Sequence, residues 1–353
     1  MRRALYVTFD TLDPNNGAGL VCMHEVNALK KVVDDVFVIQ RNTITGADLY
    51  EFNPFLYDYF AAQVAPGGMF DIVHLSCSPA IAILDRVRTH HYTVNIVAHD
   101  LQVSIDEHEL YYGKGSYPFK HNTNEYLHKL LLKHADDADC IFTPSSTSKE
   151  WIDKNIPSRK NVRIISHGTE IPEEFGIFPD HFTLGYLGAF GPDKGLIYLF
   201  EAWKQCHQGE LLLGGNCHNV LLPVLQANPN AYPETSLLGW VDHVSQFYNQ
   251  ITAYVQPSVT EGFGIEILEA MAYGKPVIAS RGAGGADVIT DCVDGFVVPA
   301  RDVSAIVDKV RFFMDNPEKA KEMGIAARET AKKYSWDKIE DKYISTYKEI
   351  LNG

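Results

Sequence analysis

The stretch that decides the fold reads TEGFGIEILEAMAYGKPVIAS and occupies residues 260–280. Gly262 and Gly264 allow a sharp turn, and the apolar residues after them recur at helical spacing, which predicts a loop leading into a short helix. The first turn of a helix presents unpaired N–H groups and about half a positive charge to an anion. Glu261 precedes the helix and Glu269 lies more than one turn inside it, so the two carboxylates can accept hydrogen bonds from well-separated hydroxyls. The pattern suits a sugar nucleotide.

The same stretch also has a purely structural interpretation. Ile267, Leu268, Met271 and Ala272 form an apolar stripe that would pack into a core. Acidic residues near a helix start are common because they complement the helix dipole, and we assign Glu266 to that role alone. For the other two carboxylates we favour the ligand role, because the glycines stand where an anion site requires them.

Shorter motifs occur along the chain in an order typical of one enzyme family. They lie at residues 71–74, 99–100, 144–145, 167–170, 188–195, 284–287, 294–299 and 334–336. Together with the E-x7-E spacing of Glu261 and Glu269, they resemble the retaining, nucleotide-sugar-dependent glycosyltransferases of family 4. The resemblance covers nearly the whole chain, although residues 167–170 read His-Gly-Thr-Glu where Asn-Gly-Val-Asp is more usual.

The resemblance implies the GT-B fold, in which two Rossmann-like α/β/α domains face a central cleft. We expect residues 1–168 plus 336–353 to form the acceptor-side domain, with a C-terminal helix that crosses back to it. Residues 169–335 would form the domain that binds the nucleotide sugar. The chain pattern agrees independently, because short β-branched runs alternate with helical segments and the alternation restarts near residue 182.

Composition narrows the function classes. A chain of 353 residues exceeds the size at which one core keeps growing, so two domains are expected. The net charge of −14 argues against nucleic-acid binding and weakens docking on an anionic membrane. No apolar run approaches the ~20 residues that span a bilayer. The six cysteines form no C-x-x-C pair, which favours reduced thiols and a cytoplasmic location.

We expect Lys194, in the turn GAFGPDKG at residues 188–195, to supply the positive charge that stabilises a leaving diphosphate. The other interpretation of Lys194 is a solvated turn lysine. The resembling family usually has arginine directly after the first glycine of this turn, where this chain has Ala189. Loss of a guanidinium from a phosphate site is not conservative, so Arg281 or another base would have to replace it, or donor binding would be weaker.

We predict three catalytic residues, namely Glu261, Lys194 and His99. The predicted donor-binding residues are Gly17, Gly19, Gly188, Lys194, Gly239, Trp240, Val241, Glu261, Gly262, Phe263, Gly264, Ile265 and Glu269. Several have structural alternatives. The glycines at 17 and 19 could be turn chemistry only, His99 could be a loop histidine bonded to backbone, and Trp240 could fill the core instead of lying under a nucleobase.

We expect no metal and no other cofactor. Asp137-Ala138-Asp139 spells the D-x-D of metal-dependent transferases, but it precedes a strand instead of ending one. The histidines, including His90-His91, show no tight ligand pattern with cysteine or carboxylate.

The function hypothesis is a retaining transfer of a hexosyl group from a nucleoside diphosphate sugar to a hydroxyl acceptor. UDP-sugar is favoured and GDP-mannose is possible. No residue stands out as a covalent nucleophile, so a front-face displacement is the mechanistic hypothesis. Two alternatives stay open: a sugar-nucleotide epimerase or phosphorylase of the same fold, and a nucleotide-sugar-binding protein with little catalysis. The acceptor and the oligomeric state are not readable, and the locally basic segment 128–134 leaves peripheral membrane contact open.

Overall fold

The computed structural model describes residues 1–8, 10–14, 17–43, 60–76, 83–84, 86–97, 135–156, 161–206, 208–215 and 234–353, with isolated residues at 103, 106–107, 109–110, 114, 132, 223, 227 and 232. The described chain divides into two compact units. Unit 1 comprises Met1–Ala98, Pro118–His167 and Trp336–Gly353, and unit 2 comprises His99–Tyr117 and Gly168–Ser335.

Unit 1 is built on a parallel sheet with the strand order β2-β1-β3-β4-β5-β6. Its strands are β1 (Arg3–Thr8), β2 (Asp35–Ile39), β3 (Met69–Ser76), β4 (Arg88–Asn95), β5 (Cys140–Thr143) and β6 (Val162–Ile164). Its helices with described bounds are α1 (Gly17–Lys30), α2 (Ser146–Asn155) and, from the end of the chain, α8 (Trp336–Asn352). The central strands are buried on both faces, as parallel sheets require.

Unit 2 repeats this architecture with the order β12-β11-β10-β7-β8-β9, again all parallel. Its strands are β7 (Thr183–Leu187), β8 (Glu210–Gly214), β9 (Thr235–Gly239), β10 (Ala253–Gln256), β11 (Val277–Ser280) and β12 (Gly295–Val298). Its helices are α3 (Leu196–Trp203), α4 (Val244–Gln250), α5 (Ile265–Ala272), α6 (Val303–Asp315) and α7 (Pro317–Ala331). Two separate apolar clusters pack on the two faces of this sheet. The prediction of two parallel-sheet α/β domains is therefore confirmed.

One local prediction needs correction. The sequence pattern predicts a strand at 94–98, whereas β4 begins at Arg88 and ends at Asn95, so the polar residues 88–91 form the first half of the strand. Residues 99–117, which the resemblance places in the first domain, cluster with unit 2. The reason is visible at Glu107, which is 2% exposed and accepts hydrogen bonds from Arg301 Nε at 2.5 Å and Tyr198 Oη at 3.1 Å.

Helix α8 belongs to unit 1 because polar and aromatic contacts fix it on α1. Glu340 accepts from His24 Nδ1 at 2.7 Å and from Lys31 Nζ at 2.6 Å, and the Trp336 ring stacks on His24 at 4.0 Å. These contacts join residues more than 300 positions apart in sequence, and they attach α8 to α1 within unit 1.

Arg328 holds residues 172–174, near the start of unit 2, by hydrogen bonds to their backbone carbonyls. This guanidinium is 8% exposed and donates to the carbonyls of Pro172, Glu173, Glu174 and Ala272, the last two at 2.8 and 3.0 Å. One rigid fork thus binds the three consecutive carbonyls of residues 172–174 to the C-terminal end of α5.

Replacing Arg328 with lysine should therefore destabilise unit 2. The ammonium keeps the charge but cannot span these carbonyls, so we expect the free energy of unfolding to fall by about 1.5–3 kcal/mol. Limited proteolysis should also cleave more rapidly within 170–179. The matched control is Arg311→Lys, because the exposed Arg311 has a single recorded hydrogen bond within the described part of the chain, to the carbonyl of Gln205. Equal stability and protease resistance of the two variants would contradict the role of Arg328.

Candidate functional site

The predicted loop and helix are present where the sequence places them. β10 ends at Gln256, and α5 begins at Ile265 with Gly264 as its N-cap at φ +88°. No side chain in the described part of the chain caps this N-terminus. A Cβ at position 264 would lie 3.3 Å from Glu261 Oε2, so glycine provides both the turn and the room for that carboxylate.

A short ion pair at the site joins two predicted catalytic residues. Lys194 Nζ donates to Glu261 Oε1 at 2.6 Å, with side chains only 20% and 14% exposed. The second oxygen of Glu261 accepts from Gln256 Nε2 and Ser258 Oγ, both at 2.8 Å. Both oxygens are therefore held in fixed directions.

The neighbouring carboxylates determine the protonation state of Lys194. Burial by itself lowers the pKa of the Lys194 ammonium, but the carboxylates of Glu261 and Asp193 raise it above its ordinary value. Lys194 therefore stays protonated at all physiological pH values. It is a cation bonded to the glutamate that precedes α5, and an ammonium there can neutralise part of a diphosphate.

Backbone contacts lock the lysine turn onto the glutamate loop. Val259 N donates to Asp193 O at 2.7 Å, and Glu261 N donates to Gly282 O at 2.8 Å. Gly195 has φ +69°, and a Cβ there would lie 2.1 Å from Pro257 O. The close approach of the two loops thus depends on a residue without a side chain.

Glycines end three adjacent strands of unit 2. Gly188 N donates to Gly214 O at 3.0 Å, and Gly215 N donates to Gly239 O at 2.7 Å. A Cβ at Gly215 would lie 1.8 Å from Gly188 O. Because ligands of open α/β sheets bind beyond the carboxyl ends of the strands, this glycine edge is the expected place for a nucleotide.

The side chains next to this edge differ in exposure. Trp240 is 61% exposed and donates from Nε1 to Asp242 at 3.0 Å, so the alternative that it fills the core is wrong. Val241 packs partly into the apolar cluster that contains Phe263, which is itself 2% exposed. Phe263 can therefore contribute only its backbone to a ligand, whereas Ile265 remains partly accessible.

Glu269 lies on the second turn of α5 and accepts a hydrogen bond from Tyr248 Oη at 2.9 Å. Burial raises the pKa of the Glu269 carboxyl, and the Tyr248 bond lowers it less than burial raises it. The Tyr248 ring stacks on Tyr273 at 5.0 Å, which fixes the donor hydroxyl.

A third carboxylate, that of Glu266, lies near the same two loops. This carboxylate points towards the end of β7, since Oε1 would lie 3.8 Å from a Cβ on Gly188. Burial and the carboxylates of Glu261 and Glu269 raise the pKa of Glu266 to about 8. The available signal was the presence of a third carboxylate between the two motif glutamates, in a helix that must lie close to a glycine turn.

The remaining predicted residues lie elsewhere. Gly17 is the first residue of α1, and a Cβ at Gly19 would lie 2.3 Å from Thr11 O, so Gly19 lets the helix pack closely on the preceding loop. His99 lies outside the described residues, as does the segment 128–134 apart from Leu132. No arrangement in the structure tests the roles predicted for them.

Basic and acidic motifs were also located. Ala189 is exposed, and the structure records no ion pair for Arg281 within the described part of the chain. Asp139 Oδ2 accepts a hydrogen bond from Tyr92 N at 2.7 Å, so this member of the D-x-D run holds β4 to the chain before β5.

Metal-binding clusters and membrane-spanning helices were both sought. Among the described residues, no group of three or more His, Cys, Asp or Glu side chains is arranged to hold a metal ion. Within the same residues, no helix is both long and apolar enough to cross a bilayer.

The fold is the one found in GT-B glycosyltransferase structures, since both units have the same α/β architecture. Sucrose-phosphate synthase from Thermosynechococcus elongatus superposes with a TM-score of 0.80 at 18% identity, covering 99% of this chain and all of that chain. Anabaena HepE in complex with UDP and glucose superposes with a TM-score of 0.72 at 16% identity, with coverages of 99% and 100%. At these identities the likeness concerns the fold.

Sequence comparisons give likenesses to glycosyltransferases. Residues 168–330, which lie within unit 2, match the family model described as glycosyl transferases group 1. The protein named uncharacterized glycosyltransferase MJ1178, from Methanocaldococcus jannaschii, is 29% identical over 226 residues, which are 64% of this chain and 63% of that protein. The chain spans between half and two thirds of the length of the first three curated relatives it matches.

Proposed function

We propose that this protein is a glycosyltransferase that moves a hexosyl group from a nucleoside diphosphate sugar to a hydroxyl acceptor, with retention of anomeric configuration and without a metal ion. Unit 2 would bind the donor and unit 1 the acceptor. A uridine donor is our first choice, since HepE, which shares the fold, is described in complex with UDP and glucose. The free thiols of Cys22, Cys140 and Cys206 favour a reducing compartment such as the cytoplasm.

The observation that carries the proposal is the Lys194–Glu261 pair at the N-terminus of α5. A diphosphate at this position meets the ammonium and the N–H groups of the first helical turn, which together supply positive charge without an ion. Glu261 is held by three donors, so its carboxylate is preorganised to accept from sugar hydroxyls. Glu269, one turn further along, would accept from the ribose.

The chemistry assigned to these groups is charge stabilisation. The bond between the anomeric carbon and the diphosphate oxygen breaks, and the acceptor oxygen forms its bond to that carbon on the same face. The acceptor proton goes to the departing phosphate. Lys194 and the helix amides stabilise the charge that develops on the leaving group, which is where such interactions lower a barrier most.

The residue at position 189 supports a second candidate function. Ala189 stands where the resembling family has arginine, it is exposed, and its carbonyl is engaged by Tyr186 Oη. A donor site with one cation instead of two would bind a nucleotide sugar without turning it over rapidly. The second candidate is therefore a nucleotide-sugar-binding protein with little catalysis.

Thermal unfolding against UDP-glucose, GDP-mannose and ADP-glucose, with and without EDTA, tests the proposal. We expect one of these sugars to raise the melting temperature, because ligand binding to the native state stabilises it by mass action, and EDTA should leave the shift unchanged. The same mixtures should release nucleoside diphosphate slowly by hydrolysis.

Stabilisation without any release, across a range of hydroxyl acceptors, would support the binding-protein candidate instead. No stabilisation by any of the three sugars would refute both candidates. Loss of the shift in EDTA would refute metal independence alone.

A further inference from the structure

The donor site contains more negative charge than its proposed ligand tolerates. Three carboxylates, Glu261, Glu266 and Glu269, lie on and before the first two turns of α5, and Asp193 lies 3.8 Å from Lys194 Nζ. Lys194 is the cation recorded beside them. A diphosphate adds about two further negative charges, and like charges at this range oppose binding.

Of these carboxylates, that of Glu266 lies in the first turn of α5 and faces the end of β7. Glu266 is the second residue of α5, so it lies in the same helical turn whose N–H groups would hold the anion. Its Oε1 faces Gly188 at the end of β7, whereas Glu261 is bound to Lys194 and Glu269 to Tyr248. Among the described residues, no side chain is recorded as donating to the Glu266 carboxylate, whereas Tyr248 Oη donates to the Glu266 backbone carbonyl at 3.3 Å.

We propose, on the basis of the function proposed above, that the Glu266 carboxyl in its protonated form donates a hydrogen bond to the donor diphosphate. Loss of this proton then weakens donor binding. A neutral carboxyl offers one O–H donor, so it serves the anion in place of a second fixed cation such as the one missing at Ala189.

The groups that face Glu266 from each packed element agree with this assignment. Glu261 on the preceding loop and Glu269 on α5 disfavour the charged form, and Lys194 favours it weakly. Three tyrosines of β7, α4 and β10 are also near these carboxylates: Tyr186, Tyr248 and Tyr254. Burial is the main cause that raises the pKa values of their hydroxyls, so they stay neutral and add no charge near pH 8.

The sign of the pH dependence follows. Because the pKa of Glu266 is raised to about 8, the carboxyl is mostly protonated below that value and binding is then at its strongest. Above it, one proton must be taken up for each donor bound, so the dissociation constant should rise up to about tenfold per pH unit.

The test is calorimetric titration with UDP-glucose, GDP-mannose and ADP-glucose between pH 6.5 and 9.0, using wild type, Glu266→Gln and Glu318→Gln. Glutamine keeps the shape and an N–H donor but cannot titrate, so E266Q should bind with nearly constant affinity over this range. Wild type and E318Q should both weaken above pH 8, since Glu318 is an exposed glutamate in the first turn of α7. At pH 8.5, buffers of different ionisation enthalpy should show proton uptake by wild type and none by E266Q.

The failures are distinguishable. If no sugar binds wild type at any pH, both the proposed function and the role of Glu266 are wrong. If a sugar binds wild type with the same affinity at pH 6.5 and 9.0, or if E266Q keeps the wild-type profile, the function stands and the role of Glu266 is overturned. A profile that disappears in Glu269→Gln but persists in E266Q assigns the proton to the other carboxyl and also overturns it.

Discussion

Replacement of Lys194 by alanine should reduce the rate of nucleoside diphosphate release from the donor by about 100- to 1,000-fold, the usual cost of removing one preorganised group that stabilises developing charge. The ammonium is the cation bonded to Glu261, at 2.6 Å, and no described arginine forms an ion pair at this place. Its loss leaves the leaving diphosphate with helix amides alone. The measurement is initial rate with saturating donor, for wild type and variant.

The matched control is Lys204→Ala. Lys204 also pairs with a glutamate of unit 2, Glu201 at 2.7 Å, but it is the C-cap residue of α3 and its side chain is 34% exposed. It should release nucleoside diphosphate at the wild-type rate. If K194A also retains the wild-type rate and remains folded, the catalytic role of Lys194 is wrong.

The largest expected effect on stability comes from Glu25 in unit 1. Removing one member of a buried charged network costs about 3–5 kcal/mol, because its hydrogen-bond partners stay buried without it. Glu25 is 0% exposed and accepts from Tyr6 Oη at 2.5 Å, Tyr343 Oη at 3.2 Å and Asn95 Nδ2, and His74 Nε2 lies 3.6 Å away. These residues come from α1, β1, β3, β4 and α8, so Glu25→Ala should loosen the whole unit.

Urea denaturation followed by circular dichroism measures this effect. Glu150→Ala, at an exposed position of α2, is the control and should change the free energy of unfolding by no more than about 0.5 kcal/mol. A value for E25A as small as that of the control would show that the network contributes little.

Acid should narrow the difference between wild type and Glu25→Gln. Burial raises the pKa of the Glu25 carboxyl, but the contacts with His74 and the Tyr6 hydroxyl lower it by more than burial raises it. The pKa in the folded protein is therefore below the ordinary value for glutamate. Such a group stabilises the fold above its unfolded pKa of about 4.3, and the stabilisation is lost as pH falls through the folded value. Repeating the urea curves at pH 7 and pH 3 checks this sign.

The sequence predicts the fold well because the relevant signals are local. Short β-branched runs identify most strands, and the glycines before Ile265 place the start of α5 at the correct residue. The strand at 94–98 was misplaced because polar residues such as His90 and His91 carry no strand signal when they form the first half of β4.

Site residues are harder to predict because their roles depend on partners distant in sequence. Glu261 and Lys194 are separated by 67 positions, and only the fold brings them within hydrogen-bond distance. Glu266 is indistinguishable in sequence from a helix-dipole glutamate, and its environment becomes visible only when Gly188 and Glu261 are placed beside it. The network around Glu25 was missed for the same reason, since Tyr343 lies 318 positions away.

The central claim is that this site transfers a sugar from a nucleoside diphosphate donor with retention. The most direct measurement is proton NMR of the purified protein with the stabilising nucleotide sugar in EDTA, recorded early enough to precede mutarotation. We expect the anomeric signal of the donor to be replaced by that of a sugar of the same configuration, together with nucleoside diphosphate, in wild type and not in K194A. A donor signal that persists unchanged in wild type, or a product of inverted configuration, would contradict the claim.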